Sequence, residues 1–190
     1  MTQIYEDGTY LENNPSWHEE DSPWKAMQIR KIIEKNHLEP DSICEIGCGA
    51  GGVLCQLSKD YSDDKAFFGY EISPQAFELC SKKSAHNLTF KHFDLLSDNA
   101  DYFDIVMAID VFEHVEDYFG FLRKLKEKAK YKIFHIPLDL SVQSILRSSK
   151  IIDVRKSVGH IHYFTKETAL ETLKDTGYEI VDYSFTPLAI

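Results

Sequence analysis

The sequence predicts an α/β fold, doubly wound about a mostly parallel sheet with helices on both faces. Apolar runs rich in β-branched and aromatic residues alternate with segments of helical spacing, which is the pattern of strand-helix units. Four glycines in "GCGAGG" (47–52) stand where the first of these runs passes into the helix after it. A chain of 190 residues, 43% hydrophobic, also suits one domain with a sizeable core.

The elements follow in order. An aromatic and acidic arm holds Tyr5, Tyr10, Trp17 and Trp24, and "WKAMQIRKIIEKN" (24–36) has helical spacing. Strands are expected at "SICEI" (42–46), "AFFGYEI" (66–72), "LTFKHF" (88–93), "FDIVMAI" (103–109), "KIFHIP" (132–137) and "YEIVDYSF" (178–185). Helices fall between them at 51–61, 74–85, 117–129 and 165–177. Ser73 before Pro74 caps one and sets its first turn, Thr165 with Thr168 opens another, and Gly177 closes it. Residues 139–163 read as less regular.

A formal net charge of −10 gives no general attraction to nucleic acid or anionic membranes. No stretch approaches the ~20 apolar residues of a membrane span, and the start lacks a basic segment followed by an apolar one. Cys44, Cys48, Cys55 and Cys80 lack C-x-x-C spacing and read as small buried thiols. The expectation is a cytoplasmic protein, monomer or homodimer, with no nucleic-acid or membrane partner.

In an open α/β sheet the ligand crevice lies at the carboxyl ends of the strands, where strand order reverses. "GCGAGG" fits G-x-G-x-x-G through Gly47, Gly49 and Gly52, and also G-x-G-x-G through Gly51. Alone it is ambiguous, because a glycine turn can serve a tight reversal only. Glu45, two residues ahead of Gly47, suits a ligand with an ammonium group better than a pyrophosphate. Glu71, at the end of the second strand, is placed to accept hydrogen bonds from ribose hydroxyls. Asp94 has the position to accept from an adenine amino group while Leu95 packs on the ring.

With these residues the chain resembles a class I S-adenosylmethionine-dependent methyltransferase of the small-molecule branch typified by ubiquinone and menaquinone biosynthesis. The matching stretches are "EIGCGAGG" (45–52), "GYEIS" (69–73), "FDLL" (93–96), "FDIVMAIDVFEHVED" (103–117) and "GHIHYFT" (159–165). The resemblance implies a Rossmann-like, seven-stranded type of sheet and S-adenosylmethionine as cofactor, with S-adenosylhomocysteine as product. It places Glu45, Gly47, Gly49 and Gly51, with Cys48 among them, around the methionine portion. Glu71 would hold the ribose, Ile72, Asp94 and Leu95 would form the adenine pocket, and Asp110 and Val111 would lie near the methionine end. Asp94 and Asp110 have an alternative as turn caps. Such sheets end with one more antiparallel strand than this sequence supplies, so either the protein is truncated, which is the expectation, or its edge strand is formed elsewhere.

Methyl transfer from a sulfonium is an in-line displacement that needs alignment and desolvation more than acid catalysis. A hydroxyl acceptor benefits from a nearby base, and histidine suits that task near neutral pH. His160 is the leading base and His114 the second candidate, whose alternative is to anchor the helix after it. His162, Tyr163, Arg147 and Arg155 are expected beside the pocket of a small-molecule acceptor, although solvated loop charge also explains the arginines. Residues 1–36, with Trp17 and Trp24, are expected to form a lid over the domain at 37–190, or else to staple the first helix to the sheet. Glu113, His114 and Glu116 make a weak metal pattern, and no metal is expected. An NAD-binding oxidoreductase and a catalytically silent cofactor-binding module for a partner protein are the competing readings.

Overall fold

The computed structural model describes Tyr5 and residues 8–97 and 101–186. Five strands form one sheet: β1 (Ser42–Ile46), β2 (Ala66–Glu71), β3 (Leu88–His92), β4 (Phe103–Ile109) and β5 (Ala129–His135). Their order is β3-β2-β1-β4-β5, and every pairing is parallel. Strand order therefore reverses between β1 and β4.

The helices are α1 (Thr9–Asn13), α2 (Ser22–Lys35), α3 (Gly52–Asp60), α4 (Pro74–Ser81), α5 (Tyr118–Lys126), α6 (Val142–Leu146), α7 (Ser148–Ser157) and α8 (Lys166–Asp175). Alternate residues of the central strands separate two cores. Ile43, Ile105 and Met107 pack with Ile29 and Ile33 of α2 and Leu54 and Leu57 of α3. Cys44, Val106 and Ala108 pack with Leu122 and Leu125 of α5 and Leu173 of α8 on the other face. Both faces of the sheet are thus covered, as the continuous apolar runs require. The expected caps form: Ser73 Oγ accepts from Ala76 N, and Thr165 and Thr168 make a reciprocal capping box ahead of α8.

Two expectations need correction. Residues 178–185 form no strand; they run beside β5 without a ladder. Side chains fix this segment: Tyr178 Oη donates to Leu122 O at 2.6 Å, and Asp182 accepts from Asn36 Nδ2 at 3.0 Å and pairs with Lys35 Nζ at 2.8 Å. Thr186 Oγ1 lies 3.3 Å from His135 Nε2. The alternation of apolar residues is real, but Val181, Tyr183 and Phe185 face solvent. Residues 139–163 contain α6 and α7, whose apolar Val142, Ile145 and Leu146 stay exposed, so no buried stripe announces them.

Candidate active site

A crevice of about 1610 Å³ opens at the carboxyl ends of β1 and β4 and continues along β5 toward residues 178–186. Its position follows from the reversal of strand order.

The glycine turn forms its floor. Gly47 and Cys48 donate their amides to Tyr70 O at 2.8 and 3.2 Å, which ties the turn to the end of β2. Gly47, Gly49 and Gly51 all have positive φ, at 66°, 53° and 75°, a region costly for residues with a Cβ. Space is also short, since a Cβ on Gly51 would lie 2.6 Å from the Phe90 ring.

Three carboxylates surround this turn. Glu71 accepts from the amides of Gly49, Ile72 and Ser73, each at 2.8 Å. Burial pushes its carboxyl upward, although these amides oppose the shift. Glu45 is 3% exposed, and its Oε2 has no hydrogen-bond partner among the described residues. Burial pushes the Glu45 carboxyl up to about 8 against the attraction of Lys25. Asp110, directly after β4, has φ of 53° and stands between Lys25 Nζ at 2.9 Å and His135 Nδ1 at 2.6 Å. Burial alone would raise its carboxyl, but His135 and Lys25 hold it down to about 2. Asp110 is thus compensated by Lys25 and a hydrogen bond to His135, whereas Glu45 Oε2 is left without a donor among the described residues.

Residues of the arm line the crevice as well. Ser73 Oγ donates to Tyr5 O at 2.7 Å, and Tyr5 Oη donates to Val158 O at 3.2 Å. Asn14 Nδ2 donates to Ser157 O at 3.1 Å, so the arm reaches from the end of β2 to the end of α7. Trp17 packs on Tyr10 with ring centroids 4.6 Å apart, and its ring would be 3.8 Å from a Cβ on Gly49. Trp24 meets His135 edge-on at 6.0 Å.

His114, His160 and Asp139 line the same crevice. His114 Nδ1 is 3.1 Å from Gly159 O and 2.8 Å from Tyr5 Oη, and burial holds this imidazole down to about 4. His160 Nδ1 is 2.7 Å from Asp139 Oδ2. These contacts fix both rings with Nδ1 occupied and Nε2 directed elsewhere. Glu113 is fully buried beside them, and burial drives its carboxyl well above the usual range.

The crevice brings together most of the residues singled out from the sequence. Glu45, Gly47, Cys48, Gly49, Glu71, Ile72, Asp94, Leu95, Asp110, Val111, Trp17, Trp24, His114 and His160 all line it. Gly51 serves instead as the residue before α3. Asp94 Oδ1 also accepts from Leu96 N at 2.9 Å, so it caps the turn there.

Four residues expected at the acceptor pocket stand outside this lining. His162 Nε2 meets Val115 O at 2.9 Å and its ring packs on Tyr118. Tyr163 Oη donates to His160 O at 2.9 Å, while Arg147 is exposed between α6 and α7 and Arg155 lies in the last turn of α7. Sequence reasoning took His135 for an internal strand residue and passed over Lys25 and Asp139. Their importance comes from their partners, Asp110 for Lys25 and His135 and His160 for Asp139, which no local sequence pattern links.

The family described as a methyltransferase domain matches residues 17–183 of the chain. The norajmaline N-methyltransferase of Rauvolfia serpentina is 28% identical over 111 residues, covering 53% of this chain and 36% of that protein. The chain thus spans about a third of the length of that curated relative. A possible histamine N-methyltransferase from Thermotoga maritima aligns with TM-score 0.67 and 18% identity over 95% of this chain and 82% of its own. The plantazolicin methyltransferase BpumL, solved with a monoazolic desmethyl analogue and SAH, aligns with TM-score 0.66 and 18% identity over 92% and 72%. At these identities the likeness to the solved structures is one of fold.

Proposed function

Because the chain belongs to the methyltransferase-domain family, we propose that it transfers a methyl group from S-adenosylmethionine to an oxygen or nitrogen of a small molecule, leaving S-adenosylhomocysteine. The observation that carries this reading is Glu45, a buried acid behind the glycine turn with an oxygen that no group among the described residues satisfies. The ammonium of a methionine moiety supplies the missing cation and donor. A pyrophosphate at the same place would meet an acid instead.

The other residues take roles consistent with that ligand. Glu71, its oxygens already aimed by three amides, retains acceptor capacity for ribose hydroxyls. Ile72, Asp94 and Leu95 flank the adenine, and Asp110 and Val111 approach the methionine end. Residues 1–36 act as a lid through Trp17, Tyr10 and Tyr5, excluding water from the sulfonium; residues 1–4, 6 and 7 of that arm lie outside the described residues. His160, oriented by Asp139, and His114 present Nε2 toward the acceptor, where an imidazole accepts the proton of a hydroxyl.

Among the described residues no helix is long and apolar enough to cross a membrane. The same reading has a monomer or homodimer working in the cytoplasm on a small acceptor. Calorimetry tests the cofactor: S-adenosylhomocysteine should bind and NADH should not, and the reverse would end the proposal. Tritium transfer from labelled S-adenosylmethionine across a panel of phenols, alcohols and amines then identifies the acceptor class.

A further inference from the structure

Glu113 presents the least explained chemistry in the molecule. Its side chain is 0% exposed, and neither carboxylate oxygen accepts a hydrogen bond from another described residue. A buried acid left this way is costly unless a proton or a cation joins it. The facing groups are two imidazoles. His114 Nε2 stands 3.8 Å from Glu113 Oε1, and the His114 and His160 rings meet edge-on with centroids 4.8 Å apart.

Both imidazoles are prepared for a ligand on Nε2. Gly159 O receives the Nδ1 proton of His114, and the Asp139 carboxylate receives that of His160. A carbonyl or carboxylate on the far nitrogen is the usual support of a metal-binding histidine, because it fixes the tautomer and raises basicity. The loop that carries His160 is itself pinned to Glu113, whose carbonyl accepts from Ile161 N at 3.0 Å and His162 N at 3.1 Å. Backbone bonds therefore bring together donors that are far apart in the chain.

We propose that Glu113, His114 and His160 form a binding site for one divalent transition-metal ion of the zinc type, at the wall of the crevice where the loop after α7 meets the segment after β4. One donor atom from each residue falls within 4.8 Å of the other two. Ligands about 2.1 Å from a tetrahedral ion are roughly 3.4 Å apart, so side-chain adjustments on the order of 1 Å close the site. Two imidazoles and one carboxylate suit Zn²⁺, Co²⁺ or Fe²⁺ over Mg²⁺ or Ca²⁺, which favour oxygen ligands. Three protein ligands also leave a coordination position open. His114 and His160 line the crevice while Glu113 does not, so that position lies on the crevice side. The site rests on this geometry and not on the methyl-transfer reading; with the ion bound both Nε2 lone pairs are taken, so in that state neither imidazole serves as the base for the acceptor.

The test uses the full chain stripped with a chelator, then dialysed against Zn²⁺ and analysed by atomic emission. One ion per chain is expected, and Co²⁺ in its place should give visible d–d bands without thiolate charge-transfer absorption. His160→Ala and Glu113→Gln should each weaken Zn²⁺ binding at least about 100-fold, whereas His86→Ala, on an exposed residue, should not. Circular dichroism and S-adenosylhomocysteine calorimetry on the same samples separate loss of the ion site from misfolding and from failure of the cofactor reading. Absence of stoichiometric Zn²⁺ in the folded wild-type chain, or binding unchanged in His160→Ala, would overturn the proposal.

Discussion

The two walls of the crevice are built differently. On the glycine-turn side Glu71 is fixed by Gly49, Ile72 and Ser73, and the turn itself by Tyr70, all within a short stretch of chain. On the side of the two histidines His114 leans on Tyr5 and Gly159, His160 on Asp139, and the loop after α7 on the main chain of Glu113. The first wall is assembled by backbone amides and one carboxylate within residues 47–73, and the second by contacts among four separate segments. In the proposed function the first accordingly suits one fixed ligand, and the second variation between acceptors.

The sharpest way to break the local wall is Glu71→Ala. Three backbone amides lose their acceptor together, and in the proposed complex the ribose would lose its partner. We expect S-adenosylhomocysteine affinity to fall by at least about 100-fold, and stability by about 1–3 kcal/mol, from the orphaned donors. Calorimetry and urea unfolding measure the two losses, and unchanged affinity would remove Glu71 from the cofactor site.

Glu45 provides the next largest effect. In the ligand-free protein its carboxyl, raised to about 8, holds its proton at pH 7, while an ammonium beside it favours the ionised form. Binding should therefore release a proton below pH 8. Affinity for S-adenosylhomocysteine should strengthen with rising pH, by up to about tenfold per unit, and level off above pH 8. Calorimetry in buffers of different ionisation enthalpy counts that proton, and Glu45→Gln should abolish both its release and the slope.

These differences also explain what the sequence made legible. The sheet, its helices and the glycine turn follow from periodicity and from residues with conformational meaning, such as Ser73, Pro74 and Gly177. The cofactor-side residues sit at strand ends, which periodicity locates. The acceptor wall depends on where loops return. Nothing in "GHIHYF" distinguishes His160, which turns to Asp139 and the crevice, from His162, which turns to Val115 O. Period-2 alternation in "YEIVDYSF" likewise predicted a strand, yet pairing requires a neighbouring edge within reach, and side-chain anchors on Leu122 and Asn36 hold this segment in its course.

The arm joins the two walls, so its removal should register on both. Trp17→Ala deletes the ring nearest Gly49 and the packing on Tyr10. We expect cofactor affinity to fall on the order of tenfold through faster dissociation, with about 1 kcal/mol lost in stability from the aromatic pair. Stopped-flow fluorescence of cofactor release separates a lid from a staple, because a staple alone would change stability and leave the dissociation rate as it was.

The smallest effect on binding should come from His162→Ala, and it sharpens the contrast inside the acceptor wall. This imidazole is two residues from His160, yet it spans to Val115 O and packs on Tyr118 away from the crevice. Its loss removes one hydrogen bond and a ring contact, worth about 1 kcal/mol in thermal or urea unfolding. Affinity for S-adenosylhomocysteine and the rate of methyl transfer measured below the melting transition should both stay within about twofold of wild type, since a difference of ~0.4 kcal/mol is all that such a factor represents. A large drop in rate with stability intact would mean that the loop turns over when the acceptor binds, exchanging the roles of the two histidines.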